Sequence, residues 1–186
     1  TDSGSVAITD TFKITVTNTN DAPTVANAIA DQTAAEDSAF SVQFDADVFA
    51  DVDEGDSFTY TATLSDDSAL PSWLSFDADT RTFSGTPLNA NVGVLAVKVI
   101  ATDSGSSAIT DTFNLTVTNT NDAASIAGVT TGAVTEENAA SLTASGSLTI
   151  SDVDTGEAVF VAQTNTAGGA GLGVFNLGTD GAWSYA

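Results

Sequence analysis

The stretch Ala101–Asp122, ATDSGSSAITDTFNLTVTNTND, decides how this chain folds. It opens on an Asp-Ser-Gly turn and runs into a strand. Ile109, Phe113, Leu115 and Val117 fall on one face; Thr110, Thr112, Asn114, Thr116 and Thr118 fall on the other. Apolar–polar alternation with a period of two marks a half-buried antiparallel strand. The strand ends in Asn119–Asp122, too rich in Asn and Asp to go on pairing. The same stretch opens the chain. Thr1–Asp21 aligns with Thr102–Asp122 at a spacing of 101 residues, differing only at Val6, Lys13 and Ile14. Such identity at a fixed period is the signature of a tandem array, so the chain reads as a window on a repetitive protein.

The period of 101 favours domains of about 100 residues, and 186 residues hold one or two of them. With 42% apolar residues a packed core is available and global disorder is not expected. The charge is unusual: 25 acidic residues face only Lys13, Arg81 and Lys98, a net charge of −22. Phosphate would be repelled, which excludes nucleic acid as a partner and disfavours an anionic membrane surface. The acids then serve either as a solvated surface suited to extracellular surroundings or as oxygen ligands for hard cations. No Cys and no His are present, so disulfides, thiolate sites and imidazole chemistry are absent. No apolar run reaches the length of a membrane span, and the first residues do not resemble a signal peptide.

Along the chain, Thr1–Asp21 reads as the end of a preceding domain, with Ala22–Pro23 closing it. From Pro23 to Asp122 strand signals arrive at short intervals without a helical period. A weak first strand is expected near Val25–Ile29. Phe40, Val42, Phe44, Ala46 and Val48 alternate, as do Phe58, Tyr60, Ala62 and Leu64. Trp73–Phe76 and Thr80–Phe83 form short strands around an Asp-Ala-Asp turn, and Leu95, Val97, Val99 and Ala101 alternate once more. About seven short antiparallel strands in one repeat imply a two-sheet, all-β sandwich of immunoglobulin-like type.

Here the residues reach known families. Val99–Ser107 with Ile109–Ala123 resembles the end of a cadherin repeat, and Phe49–Pro87 looks like a dystroglycan-type cadherin-like domain of long bacterial surface proteins. Beyond Asp122 the period is read as broken. Thr131–Phe160 and Gly173–Ala186 resemble the VCBS repeat, a β-domain of giant adhesins, with Leu148, Ile150, Phe175, Leu177, Trp183 and Tyr185 giving its strands. The expected organisation is therefore residues 1–22, the C-terminal strands of a preceding repeat; 23–122, a complete cadherin-like sandwich; and 123–186, part of a VCBS-like domain. These resemblances imply extender repeats of a large bacterial cell-surface or secreted adhesin, with neighbouring repeats as partners.

Sandwich topology places acids together. The turn after the second strand carries Asp51, Asp53 and Asp56; the turn before the last strand carries Asp103; the incoming linker carries Asn18, Asn20 and Asp21. All three belong at the entry end. Gathered carboxylates repel unless a cation sits among them, and six to eight oxygens are what Ca²⁺ takes. The cadherin resemblance carries calcium ligation onto the same residues. It also implies Glu36 of the first strand as a ligand at the exit end, with Asn119, Asn121, Asp122, Asp152 and Asp154. The Leu-Asp-Arg-Glu motif of cadherins is replaced near its place by SGTPLNANVG, Ser84–Gly93, so fewer ions per junction are expected. The alternative is that these acids only cap turns.

Other motifs fail on inspection. Asp51–Asp56 is not an EF-hand loop, because Gly55 stands where a ligand is needed. Gly168–Gly173 lacks the Asp of the RTX nonapeptide, and the sequon at Asn114 meets Lys13 in the other copy. An enzyme is not expected: without His or Cys a Ser or Thr nucleophile has no usual base, and acids in polar Gly-rich turns lack the burial that would raise a pKa. The competing reading is a carbohydrate-binding module using Tyr60, Trp73, Phe76 or Trp183 as a stacking surface. Against it, the Leu70-Pro71 and Leu74 neighbours of Trp73 predict a core residue.

Overall fold

The computed structural model describes residues 3–4, 7, 9–134, 142–168 and 173–186. Thr1, Asp2, Ser5, Val6 and Ile8 of the opening copy lie outside the described residues, as do 135–141 and most of the Gly168–Gly173 motif. Fourteen strands are described in chain order: β1 Thr24–Val25, β2 Gln32–Ala35, β3 Phe40–Gln43, β4 Phe49–Ala50, β5 Thr59–Leu64, β6 Leu74–Asp77 and β7 Thr82–Gly85. They continue as β8 Gly93–Thr102, β9 Ala108–Thr118, β10 Ser125–Gly128, β11 Ala144–Ser151, β12 Gln163–Ala167, β13 Val174–Leu177 and β14 Ala182–Tyr185. Among the described residues the one helical element is a single 3₁₀ turn, Asn89–Asn91. Among the described residues no helix is long and apolar enough to cross a membrane.

The strands form a β1-β4 pair, a three-stranded sheet β3-β7-β6, a four-stranded sheet β2-β9-β8-β5 and a five-stranded sheet β10-β11-β14-β13-β12. The alternation read from β9 holds: Phe113, Leu115 and Val117 are buried while Thr110, Thr112, Asn114 and Thr118 are exposed. Its neighbour β8 buries Val97, Val99 and Ala101 and pairs antiparallel with β5, from Thr59↔Thr102 to Leu64↔Val97.

Three strand expectations are corrected. The alternation from Phe40 to Val48 is not one strand, because the chain turns after Phe44, with the Val48 amide donating to Asp45 O. Only Phe40–Gln43 stays with β7, and Phe49–Ala50 leaves to pair with Thr24–Val25. The strand expected over Val25–Ile29 is likewise short: Thr24–Val25 pairs with Phe49–Ala50, and pairing with β9 resumes only at Gln32. In the β6–β7 hairpin it is Leu74 that is buried, 4% exposed, whereas Trp73 is only half-buried. The strand begins one residue later than expected, at Leu74, and that residue takes the inward position.

The chain gathers into two compact units. The first comprises Thr1–Gln32, Ser41–Ser84 and Leu95–Leu115. Its core is aromatic: Phe44 meets Tyr60 edge-on at 5.5 Å, Phe76 lies 4.5 Å from Phe83, and Phe83 meets Phe113 at 5.5 Å. Such ring pairs add about 0.5–1.5 kcal/mol each beyond area burial. Residues 9–21 carry no strand, and Phe12, Ile14 and Val16 are exposed. The second unit comprises Thr33–Phe40, Gly85–Val94 and Thr116–Ala186. There Trp183 is 8% exposed, stacks on Phe175 at 6.2 Å, and donates its indole N–H to Val129 O at 2.7 Å. Gly146 lies so close under that indole that a Cβ would come within 2.6 Å of it. Trp183 is therefore a core residue and not a displayed sugar platform.

Candidate metal centres

The first centre is built by the turn after β4. The Asp53 amide donates to Asp51 Oδ1 at 2.9 Å and the Asp56 amide to Asp53 O at 3.3 Å, closing the loop through Gly55 at φ +87°. That φ is left-handed, where a side chain would be strained. The turn after β8 adds Asp103, whose Oδ1 accepts the Ser107 amide at 2.7 Å. Asp51, Asp56 and Asp103 bring one carboxylate oxygen each to within 4.8 Å of the others. Asp51 Oδ2 and Asp56 Oδ2 are buried without a hydrogen-bond partner. Hydrogen bonds, first from the Ser104 side chain and then from the Ser57 amide, hold the Asp56 carboxyl below the usual carboxylate range.

The linker arrives at this group. Asn18 Nδ2 donates to Asp53 Oδ1 at 2.6 Å, the Asp21 amide to Asp53 Oδ2 at 2.8 Å, and Asn20 Nδ2 to Asp103 Oδ2 at 3.1 Å. Gly105 permits the last approach, since a Cβ there would overlap the Asn20 side chain. All seven residues expected at the entry end thus meet, with Asp53 holding the linker rather than joining the carboxylate trio.

The second centre joins Glu36, Asp122 and Asp154, again within 4.8 Å. Glu36 is fully buried: Oε1 accepts the Thr120 amide at 2.7 Å and Oε2 has no partner. Asp154 Oδ2 accepts the Asp122 amide at 2.7 Å, and the Asp154 amide donates to Asp152 Oδ1 at 2.8 Å. Asn121 Nδ2 donates to Asp122 O at 2.7 Å, as Asn20 Nδ2 does to Asp21 O at 2.8 Å. Asn119 enters through Asn89, whose Nδ2 donates to Asn119 Oδ1 at 3.3 Å and to Asp154 Oδ1 at 3.1 Å. Asn89 is a site residue that the sequence reading missed. It lies in SGTPLNANVG, the segment noted only for lacking the cadherin motif.

The two centres repeat one another, and so the 101-residue period does not end at Asp122. Asp51-Val52-Asp53-Glu54-Gly55 recurs as Asp152-Val153-Asp154-Thr155-Gly156, with Gly156 also at φ +87° and the Glu157 amide donating to Asp154 O at 3.3 Å.

Desolvation, and then the charges of Asp37, Asp154, Glu36 and Asp152, push the Asp122 carboxyl up. A raised carboxyl binds its proton more tightly folded than unfolded. Its stabilising share is complete below the unfolded pKa and is lost as pH rises through the folded one. Asp56, Asp66 and Asp77 are shifted down, so their shares are lost only as pH falls through their folded values. In chelator, stability is therefore expected to rise as pH falls from neutral toward the ordinary carboxylate range and to drop below it. Asp122→Asn should flatten the rise; thermal melts across pH measure both.

Chemically, each centre offers oxygen donors, chiefly from carboxylates, side-chain amides and the backbone. That donor set suits a hard cation, and a cation would satisfy the orphan oxygens of Glu36, Asp51 and Asp56.

Comparison with known proteins places the chain among Ig-like β-domains. It is 34% identical over 118 residues to the "Serine-rich adhesin for platelets" of Staphylococcus aureus (strain USA300), covering 63% of this chain and 5% of that protein. The chain thus spans a small part of that relative. Its fold is similar to "Protocadherin Gamma B2 extracellular cadherin domains 1-5", with a TM-score of 0.54 at 16% identity over 88% of this chain and 31% of that one. It is similar also to "PcdhgB3 EC1-4", with a TM-score of 0.54 at 12% identity over 88% and 40%. Residues 22–118 match the family described as "Putative Ig domain", and the chain belongs to that family.

Proposed function

We propose that the chain is a run of calcium-stiffened extender repeats of a large bacterial surface or secreted adhesin, a non-enzymatic spacer that holds a distal ligand-binding domain away from the cell. The observation carrying this reading is the pair of centres in which an Asn-Thr-Asn-Asp linker meets buried carboxylate oxygens that lack a partner. The adhesin similarity and the Ig-like family support it. The first centre uses Asn18, Asn20, Asp21, Asp51, Asp53, Asp56 and Asp103. The second uses Glu36, Asn119, Asn121, Asp122, Asp152 and Asp154, with Asn89 added. In this reading the domain limits are 1–22, 23–122 and 123–186, the last VCBS-like and the middle one of dystroglycan type. Neighbouring repeats are the partners; nucleic acid and inserted membrane are not. The setting is extracellular, in biofilm or cell attachment.

Ca²⁺ acts on shape more than on total stability. Extracellular modules bind it with dissociation constants of about 10⁻⁴–10⁻³ M. At tenfold that concentration each site adds only about 1.4 kcal/mol. An Asn-rich linker has little apolar surface to fix its angle, so the ion supplies the fixing contacts. The test is thermal melting and calorimetric Ca²⁺ titration of the chain. Asp103→Ala should remove one binding event and reduce the melting shift between Ca²⁺ and chelator by about half. Asp77→Ala, whose carboxylate caps the β6–β7 turn by accepting the Asp79 and Thr80 amides, should leave that shift intact. Equal shifts in both variants would sink the reading.

A further inference from the structure

Two surfaces of this chain are apolar and without net charge, and the repeat links them. The first is the stretch TDTFKITVT, residues 9–17, in which Phe12, Ile14 and Val16 are 83%, 73% and 89% exposed. Asp10 and Lys13 cancel, so the stretch is neutral in a chain of net charge −22. The second is one face of the five-stranded sheet β10-β11-β14-β13-β12. Antiparallel register sets Ile126 opposite Ile150 and Leu177 opposite Trp183, with Leu148 and Phe175 two residues along on the same face. Trp183 apart, none of these side chains is buried. A groove of about 310 Å³ runs between Ile126, Val129, Leu148, Phe175 and Trp183.

The first unit shows what such a face receives. At the 101-residue spacing β13 is the counterpart of β6, with Phe175 and Leu177 standing for Leu74 and Phe76. The turn that follows is one residue shorter, which sets Trp183 in the place of Phe83. Phe83 is 1% exposed, and Phe113 of β9 closes over it at 5.5 Å. Phe12 holds the place of Phe113 in the repeat, and Ile14 and Val16 hold those of Leu115 and Val117. Residues 9–17 therefore carry the pattern that seals the equivalent face, in a copy that is exposed. A sheet with one apolar face needs a second layer, and an alternating strand needs partners. We propose that the opening segment of one copy docks through Phe12, Ile14 and Val16 on this face of a second copy, with Phe12 against Trp183. Asn18 and Asp21 stay bonded to Asp53, so the docked part is the residues before them. Donor and acceptor are different surfaces, so copies join head to tail, into closed rings or open chains. Ordering the segment keeps so small a contact weak, with a dissociation constant of about 10⁻⁴ M.

The test uses the full chain in chelator, so that its outcome does not depend on calcium, and in about 0.15 M salt, which screens charges beyond about 8 Å. Sedimentation equilibrium should give the monomer mass of 18.7 kDa at micromolar concentration and a rising mass as the millimolar range is approached. Phe12→Asp removes the donor and Ile126→Asp spoils the acceptor. Both residues are exposed, so both variants should melt with the parent. Where Ile126→Asp melts lower, Val129→Asp, at a residue 51% exposed, takes its place. Each variant alone should stay monomeric at every concentration. An equimolar mixture of the two keeps one intact donor and one intact acceptor, and it should form a one-to-one complex. In that mixture the Trp183 indole N–H resonance of the Phe12→Asp chain should shift. A parent that stays monomeric would overturn the proposal, as would association that survives either variant or a mixture that fails to pair. A Trp183 resonance that Phe12→Asp moves in the dilute monomer would overturn it too, since the docking would then lie within one chain.

Discussion

Phe113→Ala is expected to destabilise the chain by about 3–5 kcal/mol, while Phe12→Ala in the same sequence context leaves stability within about 0.5 kcal/mol. The two residues occupy the same place in the repeat, ITDTF, 101 positions apart. Phe113 is 2% exposed and packs edge-on against Phe83, whereas Phe12 is 83% exposed. Removing the first ring leaves a cavity in an aromatic cluster whose other members are tied together and cannot collapse onto it. Removing the second exposes nothing. Since single domains hold only about 5–15 kcal/mol in all, Phe113→Ala consumes a large share of the margin. Equilibrium unfolding in guanidinium by circular dichroism measures both. A cost above about 2 kcal/mol for Phe12→Ala would mean that the opening copy is packed in solution, contrary to its exposure here.

That pair also shows what a sequence pattern contains and what it leaves out. The alternation in β9 was legible because burial on one face of a strand imposes a period of two on the residues themselves. The identical alternation in Thr1–Asp21 produced no strand over residues 9–21, because a strand also needs partners, and β9 has β2 and β8 beside it. Alternation likewise ran on through Ala46 and Val48, where the backbone turns at Asp45 and changes sheets. Val48 is buried in either geometry, so its pattern is blind to the break. At Trp73 the error was one residue of register, enough to exchange it with Leu74 for the inward position.

The acidic turns were legible for a different reason. Topology alone fixed which ends of strands share one end of the sandwich, so Asp51, Asp53, Asp56, Asp103 and the linker could be placed together without knowing any side-chain geometry. Asn89 could not, because a single Asn in a 3₁₀ turn has no pattern. Its role appears only when Asp154 and Asn119 are brought within reach. The recurrence of Asp-Val-Asp-x-Gly at Asp152 was available in the sequence. It was passed over because the flanking residues diverge, while the turn needs only its carboxylates and its left-handed glycine.

The second large effect concerns Glu36, and its sign should reverse with conditions. Glu36→Gln is expected to raise the melting temperature in chelator and lower it in saturating Ca²⁺. In chelator the fully buried carboxylate keeps Oε2 without a partner and faces Asp122 and Asp154, two like charges. A glutamine retains Oε1 as acceptor for the Thr120 amide, removes one negative charge, and turns the orphan acceptor into an N–H₂ donor beside two carboxylates. Buried unpaired polar atoms cost about 1–3 kcal/mol, and hydrogen bonds to charged groups return a similar amount, so the gain should be measurable. With Ca²⁺ the balance inverts. The carboxylate oxygen is then a ligand, and an amide nitrogen in its place repels the ion and removes the linkage stabilisation of about 1.4 kcal/mol at tenfold the dissociation constant. Affinity at this centre should fall at least tenfold by calorimetry, while the centre of Asp51, Asp56 and Asp103 keeps its own. A residue with a purely structural role would move both melts the same way. Destabilisation in chelator as well as in calcium would remove Glu36 from the ligand set and leave the second centre a cluster of turn caps.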